Sequence, residues 1–583
     1  MKKLIYLYII SFFTLSLFSC QKNFLEKRIG SDLNVDSIFS TRQKSLSAIA
    51  QAYTMSLSSG IMVEDWDNTR VHGMKSGTLS HVSGELNAVK FNWEDGWQIQ
   101  RSGLTANDGS GIPRSTDGFV YNYESIRQCN LVIENIDKVV DISQTEKEQI
   151  KAEMTVLKAY RYEEMLKRYG GVPIVYSTLT AENDLNIPRA SVQELVSYIT
   201  NICDSVLQYL PAIQPSQAGG RVNKGVALSV KAEALMFAAR PLFNSATPYL
   251  SLGDDNRYIS LGNYDENRWQ QAVDANLEVL SWAASNGVQV INTGDPLNDY
   301  GKAVGTPGNQ EVILAYKNQS GIKGGNGNYY DPHGPSGGAN SMSFIQLRQY
   351  YKADGSEQTW PGGSYTDYWT RMQQMEPRYK ASAVAAGQDA WNNPGDYYWS
   401  SVVLSNASTW EGQAGTEGCG RRCKFWYHAG NRAWFEFPVY RLAENYLNLA
   451  EAYNEIGNTA QSLRYLNVIR NRAGLPNVTE TNRTRLREII QREWAVEFYE
   501  EGHRYFDVKH WKHPNVGSGI IGGEKNGFVF TYNNNRSYGE KPEDYNEYEV
   551  KKMYDAYWSP NQFLEPFPIA EVNKGYLTQN PGY

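Results

Sequence analysis

Apolar residues recur at helical spacing over long stretches of this chain and lose that rhythm in two others. Positions about 118–139, 144–168, 191–210, 224–244 and 267–286 each place apolar side chains three or four residues apart. That spacing predicts amphipathic helices with one face turned inward. Ser191 is placed to cap the third of them, with Glu194 three residues on to complete a capping box, and Pro188 and Pro211 bracket it. The same rhythm returns at about 438–456, 459–473 and 483–501.

Between these blocks the texture changes. Residues 301–340 contain ten glycines, and helical periodicity is poor from about 287 to 435. Residues 61–115 read alike. Long irregular loops in a folded protein are usually functional or disordered. These loops also carry aromatics: Trp66, Trp93 and Trp97 in the first, and Tyr329, Tyr330 and Trp360 in the second. A flat ring with a polar tip can stack on the apolar face of a ligand while its tip stays wet. Sugars present such faces. These six rings are the candidate ligand contacts, with Asn92, Asn326 and Asn328 as candidate hydrogen-bonders to hydroxyls.

Composition changes this picture only a little. The 583 residues include 41% hydrophobic and 20% charged positions, an ordinary globular balance. The formal charge of -7 argues against nucleic acid, which calls for a basic footprint. The first twenty residues are a separate matter. Lys2 and Lys3 precede an uncharged run from Leu4 to Phe18, and Leu17-Phe18-Ser19-Cys20 ends it. This is the layout of a secretory signal, and the ending looks like a bacterial lipobox. The reading makes 1–19 a signal peptide, Cys20 the lipidated first residue and 20–35 a tether. Several acyl chains on Cys20 anchor stably where one is marginal.

Four cysteines remain. Cys129 and Cys203 fall in helical patterns and read as buried thiols. Cys419 and Cys423 sit four apart in an exported chain, where a small disulfide loop stays open as an alternative to free thiols. No metal-ligand spacing stands out, so no cofactor is expected. A structural calcium in the Asp- and Asn-rich loops is left open.

Asn448 to Leu466 resembles one tetratricopeptide repeat: Ala450, Tyr453, Gly457, Ser462 and Leu466 fall at the offsets of that helix hairpin. One copy cannot stand alone, so the other helices are expected to stack beside it. A wider likeness then emerges. Asn23-Phe24-Leu25-Glu26 opens it, followed by Ile126-Arg127-Gln128-Cys129-Asn130, Lys158-Ala159-Tyr160 and Tyr169-Gly170-Gly171-Val172-Pro173. Lys231-Ala232-Glu233, Ala239-Arg240-Pro241-Leu242-Phe243 and Arg441-Leu442-Ala443-Glu444 come next. Asn471-Arg472-Ala473-Gly474-Leu475-Pro476 and Glu501-Gly502-His503-Arg504-Tyr505-Phe506-Asp507 follow, and the chain ends Asn580-Pro581-Gly582-Tyr583. In this order the segments resemble the SusD/RagB family, surface-exposed nutrient-binding lipoproteins of Bacteroidetes.

The resemblance implies a mainly α fold, a SusD-like α-α superhelix of tetratricopeptide-like hairpins with long irregular ligand-binding loops. One globular unit over 36–583 is expected, helical at 36–286, loop-rich at 287–435 and helical again at 436–583. The resemblance also implies an outer-membrane lipoprotein facing outward. It would capture an oligosaccharide for a SusC-like TonB-dependent transporter, with peptide as the alternative ligand of the RagB-like branch. His510 stands where the family often has arginine and reads as a surface variation.

Apparent catalytic patterns carry less weight. Gly334-Pro335-Ser336-Gly337-Gly338 matches a nucleophile elbow but sits in a glycine-rich loop without its strand and helix. Gly517, Gly519 and Gly522 match a dinucleotide fingerprint with no clear helix after it. His510 and His513 read as exposed histidines at a helix end. Glu493 and Glu497 share one helix face, where ion pairs with arginines such as Arg492 and Arg504 are expected rather than acid–base work. A helical glycosidase would need two carboxylates across a cleft. Glu64, Asp65, Asp67, Glu94 and Asp95 offer acids in the loops without a signature, so no enzyme is expected.

Overall fold

The helical rhythm becomes a stack of hairpins. The computed structural model describes residues 35–57, 78–87, 95–106, 119–180, 182–215, 219–318, 341–388, 418–424, 435–533 and 541–583. Cys20, the tether, Trp66, Asn92, Trp93, Asn326, Asn328, Tyr329, Tyr330 and the 334–338 glycines lie outside the described residues. The principal helices are α1 (Arg42–Leu57), α2 (Phe119–Asn135), α3 (Gln144–Tyr169), α4 (Val192–Val206) and α5 (Lys224–Ala239). They continue with α6 (Asn267–Ser285), α7 (Leu442–Glu455), α8 (Thr459–Arg472), α9 (Arg483–Glu497) and α10 (Arg504–His510). From α1 to α8 each helix packs on the next, and α9 packs back on α7. That is an α-α superhelix, and the architecture is mainly helical.

Local chemistry sets the helix ends. The Ser191 hydroxyl accepts from the Glu194 amide at 3.1 Å, and the Glu194 carboxylate accepts from the Ser191 amide at 2.7 Å. The capping box therefore starts α4 one residue after Ser191, as the sequence requires. The α7–α8 hairpin has the predicted tetratricopeptide form. Gly457 turns the chain at φ +77°, a conformation that favours glycine. Across the hairpin, the Ser462 hydroxyl donates to the Ala450 carbonyl at 2.7 Å, and Tyr453 stacks parallel on Tyr465 at 5.7 Å. Small residues matter elsewhere too. A Cβ on Gly225 would lie 2.2 Å from the Trp282 ring, so glycine lets α5 and α6 close.

Between α6 and α7 the chain leaves the superhelix. Strand β1 (Val312–Asn318) goes out and β2 (Phe435–Arg441) comes back antiparallel, with Leu314 opposite Tyr440 and Tyr316 opposite Phe437. The C-terminal part adds a feature that the helical reading of 436–583 missed. Strands β3 (Gly523–Tyr532) and β4 (Tyr545–Ala556) form a long antiparallel hairpin, with Phe528 opposite Val550 and Phe530 opposite Tyr548. Its buried side meets a second core of Tyr365, Tyr368, Phe528, Phe530, Tyr545 and Tyr548, apart from the main helical core. Gly517 and Gly522 belong to the turn before β3, where a Cβ on either would run into Trp558. A strand follows them instead of a helix, so the dinucleotide pattern there is a packed turn.

Buried charge bolts the excursion to the superhelix. Arg378 Nη1 donates to Glu493 at 2.6 Å and to Glu497 at 3.2 Å, and its Nε donates to Glu376 at 2.8 Å. Arg441 reaches Glu311 at 2.9 Å, Glu497 at 2.6 Å and Glu501 at 2.8 Å, while Arg472 joins Glu497 and Glu311. Arg470 pairs with Glu493, Arg422 with Glu500 and Lys424 with Glu501. All of these residues are buried. The arginines hold the Glu497 carboxyl far below the usual carboxylate range, against the opposing cost of burial. Glu493 and Glu497 thus make ion pairs as expected, but not with the expected arginines. Arg492 binds Glu357 and the carbonyls of residues 348–350, and Arg504 lies in the field of Glu85 and Asp507.

Two further expectations are corrected. Cys419 and Cys423 are both buried and are not joined in a disulfide. The strand Arg421–Arg422 extends the chain between them, so Cys419 packs in the aromatic core and Cys423 in the helical one. A four-residue extended span covers ~13 Å, well beyond the ~7 Å Cα limit for a bridge. His510 is no surface variation. It is fully buried, with Nε2 2.9 Å from the Lys167 carbonyl and the rings of Phe237 and Phe243 edge-on to it. Burial also keeps it uncharged by pushing its pKa well below the ordinary value. His513 is half-buried and likewise held low, to about 4.

Candidate functional site

Two of the six candidate rings are described, and both lean on the β3–β4 hairpin. Trp97 lies on the short helix Asp95–Ser102, which the hairpin end holds in place. Tyr554 of β4 donates its hydroxyl to Gln100 Oε1 at 2.8 Å, and the Tyr557 amide donates to the Gln100 carbonyl at 2.6 Å. Gln100 Nε2 donates onward to the His81 carbonyl. These bonds fix the helix so that the half-buried Trp97 ring stands edge-on to Tyr554 at 5.2 Å. The Arg101 guanidinium lies over the same indole at 5.8 Å, on an exposed side chain. Tyr557 is 46% exposed, and its ring covers Gly103.

This corner can do what a sugar-binding surface needs. It offers aromatic faces of restricted orientation, with the Arg101 guanidinium lying over one of them. Sequence reading found Trp97 but missed Tyr554 and Tyr557. Their signal was short: Tyr548 and Val550 alternate with Glu547, Glu549 and Lys551, a strand pattern in a segment read as helical.

Trp360 stands at the other end of the hairpin and is differently employed. Its ring sits edge-on to Phe528 at 5.3 Å and tilted to Tyr368 at 6.4 Å. Tyr365 stacks on Tyr545 at 4.8 Å in the same cluster. Trp360 is half-buried, with its main ring contacts directed into the core. The hairpin brings Trp97 and Trp360 onto one element but not together: Trp97 meets Tyr554, while Trp360 meets Phe528, whose register partner Val550 lies four residues from Tyr554, ~13 Å along the strand.

The carboxylates considered for acid–base work do not gather here. Glu493 and Glu497 are buried under arginines, while Glu64, Asp65, Asp67 and Glu94 lie outside the described residues. Among the described residues no helix is long and apolar enough to cross a membrane.

A superhelix of helical hairpins that carries a charge-bolted excursion and an aromatic corner defines a structural class. Within that class the chain belongs to the SusD family. The SusD family model matches residues 269–583, and a second model, described as "Starch-binding associating with outer membrane", matches residues 24–234. A SusD-like protein of Formosa agariphila is 22% identical over 432 residues, covering 67% of this chain and 68% of that one. A SusD-like protein of Bacteroides fragilis superposes with a TM-score of 0.71 at 22% identity, covering 94% of this chain and 98% of that one. Surface glycan-binding protein A of Bacteroides fluxus has the same fold at a TM-score of 0.56 and 16% identity, with 93% and 100% of the chains covered.

Proposed function

We propose that this protein captures an oligosaccharide at the cell surface and hands it to a SusC-like TonB-dependent transporter in the outer membrane. The observation that carries the reading is the pair of family matches spanning both halves of the chain, one of them described as starch-binding. The Trp97–Tyr554–Tyr557 corner supports a stacking mode of capture. Trp66, Trp93, Tyr329, Tyr330, Asn92, Asn326 and Asn328 extend the proposed ligand face, and Trp360 is reassigned to its support. In this reading Cys20 carries the lipid that holds the protein to the membrane. No catalytic step is assigned to it.

The test is a binding screen of the purified protein against polysaccharides and peptides, by retardation in glycan-loaded gels and by calorimetry. Retardation by one glycan class, lost in Trp97→Ala, is the expected result. Peptide binding alone would move the protein to the RagB-like branch. Release of products from a glycan would overturn the non-catalytic assignment. Labelling of the wild type by a fatty acid, absent in Cys20→Ala, checks the anchor. Co-purification with a TonB-dependent barrel checks the partner.

A further inference from the structure

Away from the aromatic corner, three metal-ligating side chains meet, two of them, Glu233 and His503, on the wall of a small cavity. Glu233 comes from α5, Glu444 from the first turn of α7, and His503 from the residue before α10. One oxygen or nitrogen of each lies within 4.8 Å of the others. Both glutamates are buried and the histidine is half-buried, its ring tilted against Phe498 at 4.6 Å. The cavity measures about 50 Å³, and Tyr160, Lys167 and Tyr440 also line it. That is room for an ion and a few waters.

Around it Glu163, Glu164, Glu233 and Glu444 outnumber the cations paired with them, Lys167 and Arg168. Lys167 Nζ sits 2.5 Å from Glu164 but 3.6 Å from Glu163, so its closest partner is Glu164. Fully buried Glu163 has no hydrogen-bond partner on either carboxylate oxygen among the described residues. One oxygen of Glu233 is in the same position. The Tyr440 hydroxyl, 4% exposed on a residue lining the cavity, is also unpartnered among the described residues. Buried polar atoms of this kind are seldom left without a partner. Glu163, Glu164, Glu233 and Glu444 thus lie in the field of Lys167, Arg168 also pairs with Glu164 at 3.6 Å, and a hydroxyl and an imidazole stand beside them.

We propose that Glu233, Glu444 and His503 bind one divalent transition-metal cation of the zinc class in this cavity. Two carboxylate oxygens and one imidazole nitrogen suit such an ion, and a water in the cavity would complete a tetrahedron. Bonds of ~2.0–2.1 Å place tetrahedral donors ~3.3 Å apart, so the side chains would close inward by small rotations. Any proton shared by the two glutamates leaves as the ion enters. Lys167 and Arg168 oppose the ion, and the four carboxyl groups outnumber them. The bound cation would staple α5, α7 and the start of α10, three elements far apart in sequence.

The test uses the whole protein, stripped of metal by a chelator and titrated with Co²⁺. One equivalent retained per chain after equilibrium dialysis, with X-ray absorption showing one imidazole among oxygen donors, is the expected result. His503→Gln and Glu444→Gln should each weaken retention about tenfold or more. Failure of the wild type to retain Co²⁺ overturns the proposal. So does a shell of several imidazoles, and so does retention unchanged in both variants. The wild-type stoichiometry and spectrum decide the matter even where a variant does not fold. Glycan binding plays no part in any of these readouts, so this site and the proposed function stand or fall separately.

Discussion

The charged junction and the aromatic hairpin are built from opposite materials and teach opposite lessons about motifs. Around Glu497 the chain buries arginines and glutamates that most proteins leave in water, and nearly every one has a partner within hydrogen-bonding distance. Around β3–β4 it gathers tyrosines and tryptophans, some packed inward and some turned out. Residues that look catalytic in sequence turn out to be scaffold at the junction. Residues that look like one ligand set divide at the hairpin into support at Trp360 and surface at Trp97. Chemistry-bearing side chains acquire a role only from what surrounds them.

The largest effect should come from the junction. Arg441→Ala leaves Glu311, Glu497 and Glu501 each short of a cation in a dry interior. Loss of one partner from a buried ion pair typically costs about 3–5 kcal/mol. Urea unfolding should show a loss of that order, with Arg441→Lys recovering part of it. A loss under about 1 kcal/mol, the size of a surface pair, would break the contrast between junction and surface.

The same junction should impose a pH dependence. Glu85 accepts from the Glu500 amide and from the Ser83 hydroxyl, both at 2.9 Å, on a buried carboxyl. Burial pushes its pKa up to about 7, against the opposing pull of the Glu500 amide and the Arg504 charge. A carboxyl raised on folding contributes stability that is full below its unfolded pKa and is lost as pH rises through the folded one. Stability should therefore decline from about pH 4 to about pH 8, by on the order of 3 kcal/mol in all from this group. Asp507, also pushed up to about 7 by burial, acts in the same direction. Glu497, held low, contributes the other way and only in acid. Glu85→Gln imitates the protonated acid and should flatten the slope. An unchanged slope in that variant would remove Glu85 from the account.

Two tryptophan variants sharpen the division at the hairpin. Trp360→Ala should lower stability by about 3 kcal/mol, because it opens the aromatic core. Trp97→Ala should cost less than about 1 kcal/mol of stability, yet weaken glycan binding about tenfold. The reverse outcome, with Trp97 setting stability and Trp360 setting affinity, would exchange their roles.

How much of this was readable in the sequence follows from range. Helix periodicity and caps are local, so α2 to α9 and the Ser191 capping box were legible, as was the α7–α8 hairpin with Gly457 and Ser462. Ion-pair partners are not local. Glu493 and Glu497 plainly invited arginines, but Arg378 lies more than a hundred residues upstream and only the fold selects it over Arg492. The β3–β4 hairpin was lost because its turns and bulges break the alternation in a segment flanked by helices. His510 was misplaced for a related reason. A histidine at a helix end reads as polar, whereas here the helix end itself is buried against α3 and α5.

The smallest expected effect is none at all, and it tests the same argument about range. Cys419 and Cys423 are close in sequence, but the strand between them sends one thiol to each core. Burial pushes the Cys419 thiol well above its ordinary pKa, so almost no thiolate is available to react. In the folded protein Cys129, Cys203, Cys419 and Cys423 should all resist an alkylating reagent. After denaturation without reductant all four should take the label, and mass spectrometry should count four additions besides any at Cys20. The melting temperature should not respond to reductant. Only two additions to the denatured, unreduced chain would mean that a bond joins a pair. Joining Cys419 to Cys423 would require the strand Arg421–Arg422 to fold back on itself and give up its pairing with its neighbours.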